Sequence, residues 1–132
     1  TGLTNGTTYS IKIRAVNAAG DGAESAATTA TPDVDGLPTQ PRSLTAVVID
    51  DISIDLRWLA PVDDGGETVT DYVVQYKLAT ASTWTTFSDA VSPTEATVTG
   101  LTASTSYDFR VAAVNGVGQG AYTDAVSETT LA

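Results

Sequence analysis

The chain has 132 residues, 42% of them apolar and 17% charged, which suits a soluble globular protein of one domain and part of a second rather than a disordered chain. Sixteen Asp and Glu against six Lys and Arg leave a net charge of −10, a surface that repels phosphate backbones and anionic lipid and so makes nucleic acid and membranes poor partners. His and Cys are absent, which removes His-based triads, thiol nucleophiles, disulfides and the usual zinc ligands.

No apolar run approaches the length of a membrane span, and no signal peptide stands at the start. There is no Met, so Thr1 is not read as a translational start. The acids are spread along the chain and read as a solvated surface rather than an acidic tail. The missing cysteines leave the redox compartment open.

In chain order, Tyr9, Ile11, Ile13 and Ala15 alternate with polar residues and predict one apolar face of a two-strand hairpin within residues 1–32. A lone hairpin is marginal in water. The expectation is therefore disorder, or an identifiable apolar surface over Tyr9, Ile11 and Ile13, supplied by a missing front half, a neighbouring chain or the complete module. Residues 33–40 read as a short linker. Pro32, Pro38 and Pro41 remove backbone donors there and favour an extended, semi-rigid chain. Residues 41–132 then carry seven predicted strands at about 43–49, 53–60, 70–77, 83–89, 95–99, 105–115 and 121–130. Ile54-Asp55-Leu56-Arg57-Trp58, Tyr72-Val73-Val74-Gln75-Tyr76 and Tyr107-Asp108-Phe109-Arg110-Val111 show the period of two most clearly. Loops fall at 61–67, around Gly65-Gly66, and at 115–120. No window makes an amphipathic helix. The expected fold class is an all-β, antiparallel, seven-stranded sandwich.

The front of the chain returns near its back. Residues 1–32 and 99–130 agree at 14 of 32 positions at one constant offset, including Thr1-Gly2-Leu3-Thr4 with Thr99-Gly100-Leu101-Thr102, and Ala15-Val16-Asn17 with Ala113-Val114-Asn115. A repeat of about 98 residues whose first copy lacks a front half reads as one complete module preceded by the tail of another, cut from a longer array.

Several of these residues together resemble the fibronectin type III pattern. They are Pro41 at entry, Trp58 on the second strand with Pro61 after it, Gly65-Gly66, Tyr72 on the third strand, the Leu101-to-Tyr107 spacing, and Ala113-Val114-Asn115 followed by glycines. The resemblance covers 37–132 in full and 1–32 as a back half (the last two strands). It implies an immunoglobulin-like sandwich with a tyrosine corner at Tyr107, repeated at Tyr9. Trp58, Tyr72, Tyr107 and Tyr9 then read as core rather than as carbohydrate platforms. Trp84 and Tyr122 are left between core, rim and solvent.

Little chemistry is on offer. The paired carboxylates Asp50-Asp51 and Asp63-Asp64 lie in turns with no base or pocket to tune them. Asp63, Asp64 and Glu67 around two glycines raise the question of Ca²⁺, but their spacing fits no EF-hand and a solvated turn is the simpler reading. No catalytic, cofactor-binding or metal-ligating residue is therefore assigned, and no cofactor. No Arg-Gly-Asp occurs, and Asn5-Gly6-Thr7, though a glycosylation sequon, reads as a turn. The expected role is a non-catalytic spacer module from a tandem array in a larger extracellular or cell-surface protein, with strands spanning about 30 Å. Its expected partners are the neighbouring repeats of the same parent chain, with a protein or polysaccharide as a further partner. The alternatives are an accessory domain of a secreted carbohydrate-active enzyme, which requires an exposed aromatic strip, and an interaction module of an adhesin or viral fibre contacting its partner through 63–68 or 115–119.

Overall fold

Alternation of apolar and polar residues sets the inner face of every long strand in the computed structural model, which describes residues 2–4, 7–32, 35–87 and 94–132. Part of the Asn5-Gly6-Thr7 sequon, the start of the expected linker and the end of the strand expected at 83–89 lie outside the described residues. The chain divides into two units, Thr1–Val34 and Asp35–Ala132.

The first unit holds β1 (Tyr9–Ile11), β2 (Val16–Asn17), β3 (Gly20–Asp21) and β4 (Thr28–Ala30). β1 pairs antiparallel with β4, Tyr9 opposite Ala30, and β2 with β3. The ladder breaks between these pairs because the Ser25 hydroxyl, not a backbone carbonyl, accepts from Ile13 N at 3.1 Å, while Ser25 N donates to Ile13 O at 2.8 Å.

The second unit is the sandwich. Its strands are β5 (Arg42–Val48), β6 (Ile54–Leu59), β7 (Asp71–Leu78), β8 (Thr85–Thr86), β9 (Glu95–Val98), β10 (Ser106–Val114) and β11 (Val126–Thr129). One sheet runs β5-β6-β9 and the other β11-β10-β7-β8, all antiparallel. Ile54, Leu56 and Trp58 from one sheet meet Tyr72, Val74, Tyr107, Phe109 and Val111 from the other in a single buried cluster. Each such large side chain contributes about 1.5–3 kcal/mol by leaving water. Trp58 and Tyr72 add an edge-to-face contact with ring centroids 5.3 Å apart. Asp55 and Arg57, at the alternate positions of β6, pair with each other on the outside at 3.1 Å.

β11 begins later than the expected 121. Thr123 repeats the arrangement of Ser25: its Oγ1 accepts from Val111 N at 3.1 Å, and its N donates to Val111 O at 2.9 Å. A side-chain oxygen replaces a ladder carbonyl, so regular pairing resumes only at Val126.

The 98-residue offset holds in hydrogen bonds as well as in letters. Thr4 N donates to the Tyr9 hydroxyl and Thr102 N to the Tyr107 hydroxyl, each at 3.0 Å, which makes a tyrosine corner in both copies. Thr8 and Thr31 hydroxyls meet at 2.7 Å, and Ser106 and Thr129 at 2.6 Å.

What differs between the copies is cover. Phe109 and Val111 are fully buried, whereas their counterparts Ile11 and Ile13 are 41% and 74% exposed, and Tyr9 is only half-buried. Among the described residues the apolar face of Tyr9, Ile11 and Ile13 thus lacks the cover that Phe109 and Val111 have. Local bonds of the corner and of Ser25 pair the hairpin, and among the described residues of 1–32 there is no strand equivalent to β6.

Candidate functional site

Asn115 ends β10 at a point where three segments meet. Its side chain is almost fully buried, with 4% of the residue exposed. Nδ2 donates to Gly36 O at 2.7 Å and to Asp64 O at 2.8 Å, while Oδ1 accepts from Val117 N at 2.9 Å and Gly118 N at 3.0 Å. One carboxamide therefore ties residues 35–39, the β6–β7 loop and the β10–β11 loop, with every polar atom satisfied. Backbone bonds reinforce the junction: Gly36 N to Gly65 O at 2.7 Å and Thr39 N to Asp63 O at 2.9 Å. Two glycines make the approach possible. Gly65 has φ +78°, and a Cβ there would lie 2.3 Å from Gly36 O; a Cβ at Gly120 would lie 2.0 Å from Pro38 O. The segment expected as linker is thus bonded into the loop end of the second unit from Gly36 onward.

Asp63, Asp64 and Glu67 serve this junction separately. Asp63 Oδ1 accepts from Gly65 N at 2.9 Å and Asp64 Oδ1 from Gly66 N at 3.0 Å, each closing its own turn. The Glu67 carboxylate lies beside Gly116. Among the described residues no three acidic side chains converge as a metal site would require. Asp50 also caps a turn, accepting from the Ser53 hydroxyl and from Ile52 N at 3.0 Å, and these donors hold its carboxyl below the usual aspartate range. A general acid needs the opposite shift.

The aromatics sort into two groups. Trp58, Tyr72 and Tyr107 are core, and burial pushes the Tyr72 hydroxyl pKa up. Among the described residues Trp58 Nε1 is a buried donor without an acceptor. Trp84 and Tyr122 lie half-buried on the outer face of β10, with the Arg110 guanidinium between them, its central carbon 4.2 Å from the Trp84 ring centroid and 4.1 Å from that of Tyr122. Arg110 Nε and Nη2 both donate to Gln75 Oε1, at 2.9 and 2.6 Å. Next along the face, Lys77 Nζ bonds Asp108 Oδ2 at 2.6 Å and lies 5.2 Å from the Trp84 centroid. The ammonium of Lys77 and the Ser127 hydroxyl hold the Asp108 carboxyl below its ordinary pKa. An open aromatic strip for sugar stacking needs free ring faces, and here a guanidinium takes one face of each ring. Sequence reasoning singled out neither Arg110 nor the carboxamide of Asn115. The repeat of Asn17 at Asn115, followed by two glycines, was a signal for the second; nothing in the sequence linked Arg110 to rings 26 and 12 positions away.

Charge is unevenly divided. Lys12, Arg14, Asp21 and Glu24 cancel within residues 1–32, so the whole −10 belongs to residues 33–132. Lys12 pairs with Glu24 at 3.2 Å, in the register that Arg110 and Tyr122 occupy in the second copy.

A seven-stranded sandwich closed by a tyrosine corner and a proline-led entry segment matches the family model described as Fibronectin type III domain, over residues 39–129. The chain belongs to this family. Among curated proteins, chitinase A1 of Niallia circulans is 40% identical over 138 aligned positions, spanning 99% of this chain and 18% of the chitinase. Endoglucanase B of Cellulomonas fimi is 38% identical, covering 98% of this chain and 13% of that enzyme. The chain therefore spans less than a fifth of the length of either relative. Among solved structures, titin domains A168–A170 superpose with a TM-score of 0.70 at 32% identity, over 80% of this chain and 36% of that one. Fibronectin type III modules thus occur both in enzymes named for polysaccharides and in multidomain titin.

Proposed function

We propose that this chain is a non-catalytic spacer from a tandem array of fibronectin type III modules in a larger extracellular or cell-surface protein, contacting mainly the neighbouring repeats of its own parent. The observation that carries this reading is the agreement of the two copies at an offset of 98 residues, in sequence and in the tyrosine-corner and Ser25/Thr123 hydrogen bonds. The main candidates for chemistry are engaged in structural contacts. Asp50, Asp63 and Asp64 cap turns, Asp108 is paired with Lys77, and Trp84 and Tyr122 clasp Arg110. A co-sedimentation assay on insoluble chitin and cellulose tests it. The chain is expected to remain in the supernatant; retention that disappears in Trp84→Ala or Tyr122→Ala would make it a sugar-binding module instead.

The two polysaccharide-enzyme relatives favour a second reading of the parent, in which this module separates domains of a carbohydrate-active enzyme. Deleting the module from such a parent should lower hydrolysis of insoluble polymer and leave soluble oligosaccharide hydrolysis intact. Equal loss on both substrates would count against the spacer role there.

A further inference from the structure

The Asn115 carboxamide that ties the loop end of the second unit is followed directly by Gly116, and that pair carries a chemistry of its own. The Gly116 backbone nitrogen can attack Asn115 Cγ. The new N–Cγ bond closes a cyclic imide, the Cγ–Nδ2 bond breaks, and Nδ2 leaves as ammonia with the proton that Gly116 gives up. Water then opens the imide at either carbonyl, giving aspartate or isoaspartate. Glycine favours the attack because no Cβ crowds the approach of its nitrogen.

In this fold the nucleophile is free and the electrophile is held. Gly116 is exposed, and among the described residues its N–H has no acceptor. A carboxylate stands beside it: Glu67 Oε2 lies 3.4 Å from the place of a Gly116 Cβ, close to the group that must lose a proton. Asn115 by contrast is buried, with both Nδ2 hydrogens on carbonyls of Gly36 and Asp64 and Oδ1 on the N–H groups of Val117 and Gly118. Ammonia cannot leave this position without breaking two hydrogen bonds. The oxygen that replaces Nδ2 would then face two carbonyl oxygens with no hydrogen to offer them. The reaction therefore runs through the locally open state of the junction. The first copy lacks the reactive pair, since Asn17 is followed by Ala18.

We propose that Asn115-Gly116 is a deamidation site guarded by the fold: the closed junction keeps the carboxamide intact, and opening of the loop end exposes it to an irreversible conversion that leaves residues 36–39 unpinned. In aspartate a carboxylate stands where Nδ2 donated, opposite Gly36 O and Asp64 O. In isoaspartate the main chain is also lengthened by one carbon at the end of β10. Neither product can restore the two bonds to the entry segment and the β6–β7 loop. The module thereby keeps a covalent record of having loosened.

The test incubates the full 132-residue chain at neutral pH with and without denaturing urea and follows Asn-to-Asp conversion by mass spectrometry of its peptides, reading Asn5, Asn17 and Asn115 separately. In urea Asn115 is expected to convert faster than Asn17. In the folded chain Asn115 should convert about a hundredfold more slowly than in urea, the factor by which a closed junction outnumbers an open one. Gly120→Ala, whose Cβ presses on Pro38 O, should raise the folded-state rate at Asn115 about tenfold while Trp58 fluorescence stays native. Gly116→Ala, whose Cβ meets only the Glu67 side chain, should fold as the parent does and suppress conversion in urea as well. Converted chain, separated by its added negative charge, should keep the buried Trp58 signal and exchange faster at the Gly36 and Thr39 amides. Equal rates at Asn115 with and without urea would overturn the proposal. So would conversion in urea that Gly116→Ala leaves unchanged, or converted chain whose exchange at Gly36 and Thr39 is unaltered.

Discussion

Replacing Asn115 by Ala removes four hydrogen bonds from one almost fully buried position. A net intramolecular hydrogen bond contributes about 0.5–1.5 kcal/mol, and a buried group left without a partner costs more. Val117 and Gly118 lie at a partly solvated loop and water can replace two of the four bonds, so the expected loss is about 3 kcal/mol. For a domain of this size that lowers Tm by roughly 12 °C or more. Urea unfolding followed by the core signal of Trp58 should show a lower midpoint with an unchanged slope, because the surface exposed on unfolding is the same. Hydrogen exchange should accelerate first at Gly36 and Thr39, whose N–H groups donate to Gly65 and Asp63. The exposed counterpart provides the control: Asn17→Ala removes one bond, from Ala19 N, and should change stability by less than about 0.5 kcal/mol. A loss below about 1 kcal/mol in Asn115→Ala, with exchange at Gly36 and Thr39 unaltered, would refute the idea that this carboxamide holds the loop end together.

Three further outcomes follow from the same geometry. Gly120→Ala places a Cβ 2.0 Å from Pro38 O and should release residues 36–39, destabilising the second unit by about 1–3 kcal/mol in chemical denaturation. Arg110→Ala should cost about 1–2 kcal/mol and move the Trp84 fluorescence, since one guanidinium is shared by two rings; Arg110→Lys should recover only part of the loss. Asp108 and Asp50 both have folded-state pKa values below the ordinary aspartate value, so their stabilisation is present above that value and is lost as pH falls through the folded one. The urea midpoint should therefore drop below about pH 4, and Asp108→Asn should flatten that drop while lowering stability at neutral pH.

The sandwich was legible because its strands carry their burial in a period of two: Ile54, Leu56 and Trp58 are inside, and Asp55 and Arg57 face out. The tyrosine corners were legible because one sequence spacing specifies them twice. The start of β11 was not, since a threonine hydroxyl acting as a ladder acceptor leaves no mark on hydrophobic pattern. The bonds that pair the first hairpin were not legible either, because corner and side-chain bonds are local and do not register as core. Nor could pattern show that Trp84 and Tyr122 meet around Arg110, a contact made by tertiary structure between three separated segments.

The bond from Asn115 to Gly36 spans 79 residues of sequence. Contacts of such separation form late, because the intervening chain must be ordered before the ends meet. During synthesis from the amino end, residues 36–39 leave the ribosome long before Asn115 exists to receive them, so they wait unpinned until the last hairpin of the repeat emerges. The segment that begins the module is thus among the last to be fixed.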